Sequence, residues 1–480
     1  MHPGPNILWI CTDQQRYDTV RCLGNPHIRT PNLDRLCDEG VAFSRVYCQS
    51  PICTPSRSSF LTGLYASTVH GNINGNRRFR LPEKARLITK HLADLGYYCG
   101  LVGHLHLSSL WKGLEERTDD GYREFRNSLN SFQFIGQGNQ YTDWLESLGK
   151  IDEVLDQSER DDKLRRGVKY RENVPFELHH TTWCADQAID FILRRHDGPW
   201  LLNLNVFDPH PPFDAPDDFR KPYETADLPL PLFRESDLEV QRRLSTHMFQ
   251  GTPQKPGPRQ LLDKASYYGM IEIIDRNVGR ILEVLEQTGQ RENTMVIFSS
   301  DHGETLGDHG LQQKGCRFSE GLVRVPLIMS WPKRFRSGLR SDALVELTDI
   351  APTLAELVEE PLPWTQGRSL LPILTGKAPP EHHRDSVRCE YYDVVDMKWG
   401  TGQDPDPPSY ATMYRDRRYK LCVYHGNDYG ELYDLVNDPN EFENLWEVPE
   451  ARELRYRLLK ESFDASMVIT DPGSTRIGRF

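Results

Sequence analysis

The chain has 480 residues, 38% of them hydrophobic and 27% charged, with a formal net charge of −12. That length allows two or three average domains, or one large domain with an appendage, and the balance is that of a globular protein. It excludes a broad nucleic-acid-binding surface, because no long basic run offsets the negative charge, and no stretch reaches the apolar length a bilayer requires.

The opening "MHPGPNILWICTDQQ" passes almost directly into a strand, with neither the basic start nor the apolar middle of a signal peptide. A cytoplasmic protein is therefore expected. Short apolar runs then alternate with amphipathic helices, the pattern of a mostly parallel α/β sheet. Four runs read as buried strands: "NILWIC" (6–11), "YCGLVG" (98–103), "WLLNLNVF" (200–207) and "TMVIFSS" (294–300). Helices are expected over 31–40, 83–96, 181–196, 262–288 and 348–358, with a further one beginning at Pro55. Residues 113–175, charged and irregular, and 208–260, rich in proline, read as surface insertions of the kind that carry specificity. Beyond residue 376 the texture changes. "SVRCEYY", "YATMYRD", "YKLCVYH" and "GELYDL" read as short antiparallel strands and "ARELRYRLLKESF" as a closing helix. The expected organisation is thus a large α/β domain over 1–375 and a small α+β subdomain over 376–480.

The ten cysteines, at 11, 22, 37, 48, 53, 99, 184, 316, 389 and 422, form no CxxC pair. This fits reduced thiols better than a disulfide framework or a zinc-cysteine cluster.

Each of the four strands runs into polar residues of one kind. The first leads to Asp13 and Gln14, the second to His104 and His106, the third to His210 in "DPHPP", and the fourth to Asp301 and His302 in "SDHGE". In open α/β sheets, ligands bind beyond the carboxyl ends of the strands. Asp13, Gln14, Asp301 and His302 supply hard oxygens and one imidazole, a set suited to calcium, magnesium or manganese. Arg57, Lys314 and the three histidines 104, 106 and 210 can surround a tetrahedral anion with charge and hydrogen bonds. A metal plus several cations around one nucleophile is how charge developing on a sulfuryl or phosphoryl group is stabilised.

The nucleophile is sought in "SPICTPSRSSFLTGLYAS" (50–67). A cysteine-phosphatase loop does not fit, since Arg57 follows Cys53 by four positions and prolines stand at 51 and 55. The stretch instead resembles the signature of the type I sulfatases of the alkaline phosphatase superfamily: Cys or Ser, any residue, Pro-Ser-Arg, three residues, Leu-Thr-Gly. Cys53, Pro55, Ser56, Arg57, Leu61, Thr62 and Gly63 occupy every fixed place. The resemblance continues through "PNILWICTDQ", "SSDHGETLGDHG", "RVPLI" (324–328), "DIAPTL" (349–354) and "ELYDLVNDPNEFENL".

The resemblance implies an alkaline phosphatase-like catalytic domain over 1–375 and a chemistry. A maturation enzyme oxidises the family's cysteine to formylglycine, whose hydrate is a geminal diol. One hydroxyl attacks sulfur, and the other then expels sulfate without water having to attack. By position, Asp13, Gln14, Asp301, His302 and the modified Cys53 would hold one divalent ion, calcium in preference to manganese. Arg57 would steady the diol, His210 and Lys314 would bind the ester and protonate the leaving oxygen, and His106 would assist elimination. The substrate would be a small-molecule or saccharide sulfate ester, with neither nucleic acid nor membrane as partner and homo-oligomerisation left open.

The second family signature, Gly-Lys-x-His, reads "GHLH" here, so His104 replaces a lysine that touches the anion. As a cation titrating near neutrality, His104 would make activity fall as pH rises. His104, Gln14, His302 and Asn74, a further substrate-binding candidate, resemble the phosphonate monoester hydrolase and phosphodiesterase branch, which is the alternative activity. A catalytically silent anion-binding relative is a third reading.

Overall fold

The structure is a computed structural model that describes residues 4–69, 81, 85–108, 115–128, 138–156, 158, 169–393 and 408–470. Its centre is an eight-stranded sheet of β1 (Asn6–Thr12), β2 (Val41–Tyr47), β3 (Tyr98–Gly103), β4 (Glu124–Asn127), β5 (Trp200–Val206), β6 (Thr294–Ser300), β7 (Arg324–Ser330) and β8 (Leu339–Glu346), in the order β8-β2-β7-β6-β1-β5-β3-β4. All neighbours are parallel except β7, which runs antiparallel to both β2 and β6.

In β1 the two sides of the strand feed two different cores. Ile7, Trp9 and Cys11 enter the one on one face of the sheet, and Leu8 and Ile10 enter the other. The run is continuous in hydrophobicity because both faces are covered. On one side lie α2 (Cys53–Thr62), α3 (Ile88–Asp94) and α6 (Ile350–Leu357), through Phe60, Ile88, Leu92 and Leu354. On the other lie α1 (Pro31–Asp38), α4 (His180–Leu193) and α5 (Pro258–Gln287), through Leu36, Trp183, Phe191, Ile271 and Leu282. Each fully buried aliphatic chain of this kind contributes about 1.5–3 kcal/mol.

A second sheet is antiparallel: β9 (Val387–Asp393), β10 (Ser409–Arg415), β11 (Tyr419–Tyr424) and β12 (Gly430–Asp434). One face packs on α7 (Arg452–Ile469) around Leu421, Leu432 and Leu458, while Cys389, Met413 and Tyr424 join the large core. The fully buried Lys420 ties the two sheets together, donating to the Phe318 carbonyl at 2.8 Å and pairing with Glu320 and Glu441.

Three expectations need correction. The segment 113–175 is not wholly an insertion, because Glu124–Asn127 extends the central sheet beside β3. The proline-rich 208–260 contains helices over Asp217–Glu224 and Glu235–Arg243. Cys22 and Cys37 form a disulfide rather than remaining reduced. The chain folds back between them so that Asp34 Oδ1 accepts the Cys22 N–H at 2.8 Å, which sets Cys22 beside the last turn of α1. The other eight cysteines are free and buried. Among the described residues no helix is long and apolar enough to cross a membrane.

Candidate active site

β1, β3, β5 and β6 lie side by side, and each delivers its polar residues just beyond its carboxyl end. Gly103 makes this turn possible for β3. It has φ +98°, and a Cβ there would lie 1.8 Å from the Asn205 carbonyl oxygen, so only glycine lets the chain pass to His104. Gln14 (φ 70°) and His106 (φ 59°) also adopt left-handed backbone, which costs energy for a side chain with a Cβ. The surroundings hold both. The Gln14 N–H donates to Asp301 Oδ1 at 3.0 Å and its carbonyl accepts from the Tyr267 hydroxyl at 2.6 Å. The carboxylate of Glu115 accepts the N–H groups of His106 and Ser108, each at 2.7 Å, and that of Leu107 between them.

Helix α2 starts at Cys53, two residues earlier than expected, because Ile52 is extended and Pro55 falls within the first turn, where no N–H is required. Cys53 is buried at that helix N-terminus. Its Sγ lies 3.0 Å from Lys314 Nζ, 3.2 Å from His302 Nε2 and 3.6 Å from Asp13 Oδ1. One turn on, Arg57 bridges two carboxylates, with Nε donating to Asp301 at 2.9 Å and a terminal nitrogen to Asp13 at 3.3 Å. His104 Nε2 lies 3.2 Å from the same Asp13 oxygen, Oδ2, that Arg57 meets. His106 follows on the same turn, its ring centroid 6.0 Å from that of His104. The ring of His210 packs 4.4 Å from that of Phe207, and Nδ1 donates to the Pro211 carbonyl at 2.7 Å. Asn74 lies outside the described residues.

Asp13, Cys53, Asp301 and His302, all buried, bring one ligand atom each within 4.8 Å of one another. His302 donates Nδ1–H to the Gly303 carbonyl at 2.8 Å, which turns the lone pair of Nε2 toward this cluster. The buried Gln14 Oε1 has no hydrogen-bond partner. A set of carboxylates, an amide oxygen and one imidazole, with an orphaned acceptor, fits a hard divalent ion.

Electrostatics sort the titratable groups. Burial alone would raise Asp13, but Lys314, His104, His210 and Arg57 hold it well below the usual carboxylate range. Burial opposes the charge on Lys314, yet Cys53 and Asp13 raise it, so the lysine stays protonated. Burial, then Arg57, pushes His104 down to about 4. Its burial therefore favours a neutral ring near neutral pH, against the expectation of a cationic His104. Burial, with Arg57 and Lys314 respectively, also lowers His106 and His210. In His302 burial lowers the ring, but Asp301 and Cys53 together outweigh it and the ring is raised.

His180, outside this cluster, is pushed by burial to about 3. The folded state thus binds fewer protons than the unfolded chain below the ordinary histidine value of 6.5. Stability is full above pH 6.5 and drains as pH falls toward 4, by about 1.4 kcal/mol per pH unit for each such histidine. Urea midpoints measured from pH 7.5 to 4.5 should show this slope, and His180→Gln should make it shallower. An unchanged slope would place the acid sensitivity elsewhere.

Two supports were not singled out from sequence. Glu304 stands three residues after Asp301 in a motif already noted, whereas Glu115 lies in an irregular stretch with no periodic signal.

The candidate site combines a helix N-terminus, a cationic rim and a cluster of residues that could hold a metal ion, an arrangement suited to hydrolysing an anionic ester. Residues 5–360 match the sulfatase family, and 307–467 match the C-terminal region of N-sulphoglucosamine sulphohydrolase. The chain belongs to the sulfatase family and is a sulfuric ester hydrolase. It is 31% identical over 476 residues to an arylsulfatase of Clostridium perfringens, covering 95% of this chain and 94% of that protein. It is 29% identical to the multifunctional alkaline phosphatase superfamily protein PehA of Trinickia caryophylli, covering 92% and 91% of the two chains. The phosphonate monoester hydrolase of Agrobacterium radiobacter shares the fold, with a TM-score of 0.83 at 24% identity over 99% of this chain and 98% of that one.

Proposed function

We propose that the protein hydrolyses a small sulfate monoester, using a formylglycine made from Cys53 by a maturation enzyme and one divalent ion. The observation that supports this most directly is the placement of Cys53 at the start of α2, within 4 Å of Asp13, His302 and Lys314. Asp13, Gln14, Asp301, His302 and residue 53 would hold the ion, calcium in preference to manganese, and it would supply Lewis-acid charge at the reacting centre. A hydrated aldehyde at residue 53 supplies two hydroxyls, one to attack sulfur and one to expel sulfate.

The remaining work falls to the chain's own side chains. Arg57 is locked between Asp13 and Asp301, so its guanidinium meets the diol in a fixed orientation without paying for ordering during the reaction. Lys314 is the protonated group beside residue 53 and donates to the departing ester oxygen. His210 binds the ester as a neutral ring whose Nδ1 is committed to the Pro211 carbonyl, which leaves Nε2 as the free nitrogen. His106, held by the Glu115 clamp, takes the proton in the elimination step. His104 is a hydrogen-bonding wall beside Asp13 rather than a fixed positive charge.

A second reading is phosphonate monoester or phosphodiester hydrolysis, the branch that Gln14, His104 and His302 resemble. Sulfate monoesters, phosphonate monoesters and phosphodiesters each carry one negative charge near neutral pH, so charge does not separate them. Paired kcat/KM values on an aryl sulfate and an aryl phosphonate monoester, with formylglycine content verified by mass, decide between the two. The sulfate ester is expected to be the faster; a phosphonate preference of tenfold or more would reverse the assignment.

A further inference from the structure

Glu304 has no role in the reaction as described above, yet it is completely buried beside the proposed metal ligands. Its two carboxylate oxygens face different partners. Oε1 accepts the backbone N–H of Leu306 at 3.0 Å and that of Gln313, the residue before Lys314. Oε2 accepts the side-chain amide of Gln14.

A carboxylate at this position is only an acceptor, so the atom of Gln14 turned toward it must be nitrogen. The remaining atom, Oε1, is then the one left buried without a partner, in a residue whose backbone N–H is held by the metal-ligand candidate Asp301. An amide coordinates a cation only through its oxygen, and the reversed rotamer would aim two N–H groups at the ion. We propose that Glu304 is a positioning residue that fixes the Gln14 amide with its oxygen presented to the divalent ion. The inference rests on the metal reading above and adds to it the residue that makes a neutral ligand usable at position 14.

The geometry dictates a reciprocal test. Glu304→Gln is isosteric. Its Oε1 keeps the Leu306 and Gln313 N–H bonds, while its NH2 now faces Gln14 and favours the reversed amide. In Glu304→Gln/Gln14→Glu, the new amide donates to one oxygen of the new carboxylate, and the other oxygen again faces the ion. Chelator-stripped wild type, both single variants and the double variant would be titrated with Mn2+ alone, reading free Mn2+ by electron paramagnetic resonance. Melting temperatures in EDTA would verify folding.

Glu304→Gln is expected to weaken Mn2+ binding about 10–100-fold, the usual effect of losing a group that orients a ligand, and the double variant is expected to recover it. Gln14→Glu should strengthen binding more in the Glu304→Gln background than in wild type. Affinity of Glu304→Gln within twofold of wild type, or an equal gain from Gln14→Glu in both backgrounds, would overturn the proposal. If Glu304→Gln does not fold, the double variant must still bind tighter than Gln14→Glu alone, and no gain sinks the idea. Wild type showing no saturable Mn2+ site removes the metal reading itself, a result distinct from tight wild-type binding that Glu304→Gln leaves untouched.

Discussion

Cys53→Ala is expected to lower kcat by about 10⁴–10⁶-fold, the range seen when a nucleophile is deleted, while leaving the fold in place. Alanine is the best helix former and α2 begins at this position, so the backbone loses nothing. What disappears is the atom that Lys314, His302 and Asp13 all converge on, at 3.0, 3.2 and 3.6 Å. Cys53→Ser is the more telling variant. A serine hydroxyl can take up the sulfuryl group once, but it has no second hydroxyl with which to expel it. At most one equivalent of alcohol per site should then be released, after which turnover stops. In active wild-type protein, the peptide carrying residue 53 should show an aldehyde in place of the thiol by mass. Full multiple turnover from protein whose residue 53 is homogeneously a thiol would refute the mechanism.

Much of this site is legible in the sequence because its chemistry is local. Asp13-Gln14 and Asp301-His302 each follow a run of apolar residues buried on both faces, and the Cys53 to Gly63 motif is contiguous. The four strands that carry site residues stand out for the same reason. The strands of the central sheet that did not stand out, β2, β4, β7 and β8, carry charges at Arg45, Glu124, Arg126, Arg324 and Arg340, and β7 contains Pro326, which argues against a central strand. The structure accommodates that proline. Pairing of β7 with β6 begins only at Leu327, and β2 shifts register between Phe43 and Val46, opposite Pro326. Protonation states were not legible at all. The notion of a cationic His104 came from its residue type, and only its complete burial beside Arg57 shows the ring to be neutral. The Cys22–Cys37 pairing likewise depends on a fold-back through Asp34 that no cysteine spacing announces.

Asp301→Asn should abolish metal binding and turnover together. The two oxygens of Asp301 serve different groups. Oδ1 accepts the N–H groups of Gln14 at 3.0 Å and His302 at 2.8 Å, and Oδ2 accepts Arg57 Nε at 2.9 Å. Asparagine keeps an acceptor for the two backbone donors, so the turn after β6 should survive. It places an NH2 against the guanidinium, however, which leaves a fully buried cation facing a donor instead of its partner. Breaking one side of a buried ion pair costs about 3–5 kcal/mol. Asp13 still holds the other end of Arg57 at 3.3 Å, which keeps the expected loss toward the lower end of that range. The melting temperature should therefore drop while the protein stays folded at room temperature. Metal content by elemental analysis should fall from one ion per chain to none, because the cluster loses a charged oxygen and gains a competing positive field from Arg57. Aryl sulfate hydrolysis should fall with it, and excess Ca2+ or Mn2+ should not restore it. A folded Asp301→Asn protein that retains one ion per chain would show that the ion binds away from Asp13, Asp301 and His302.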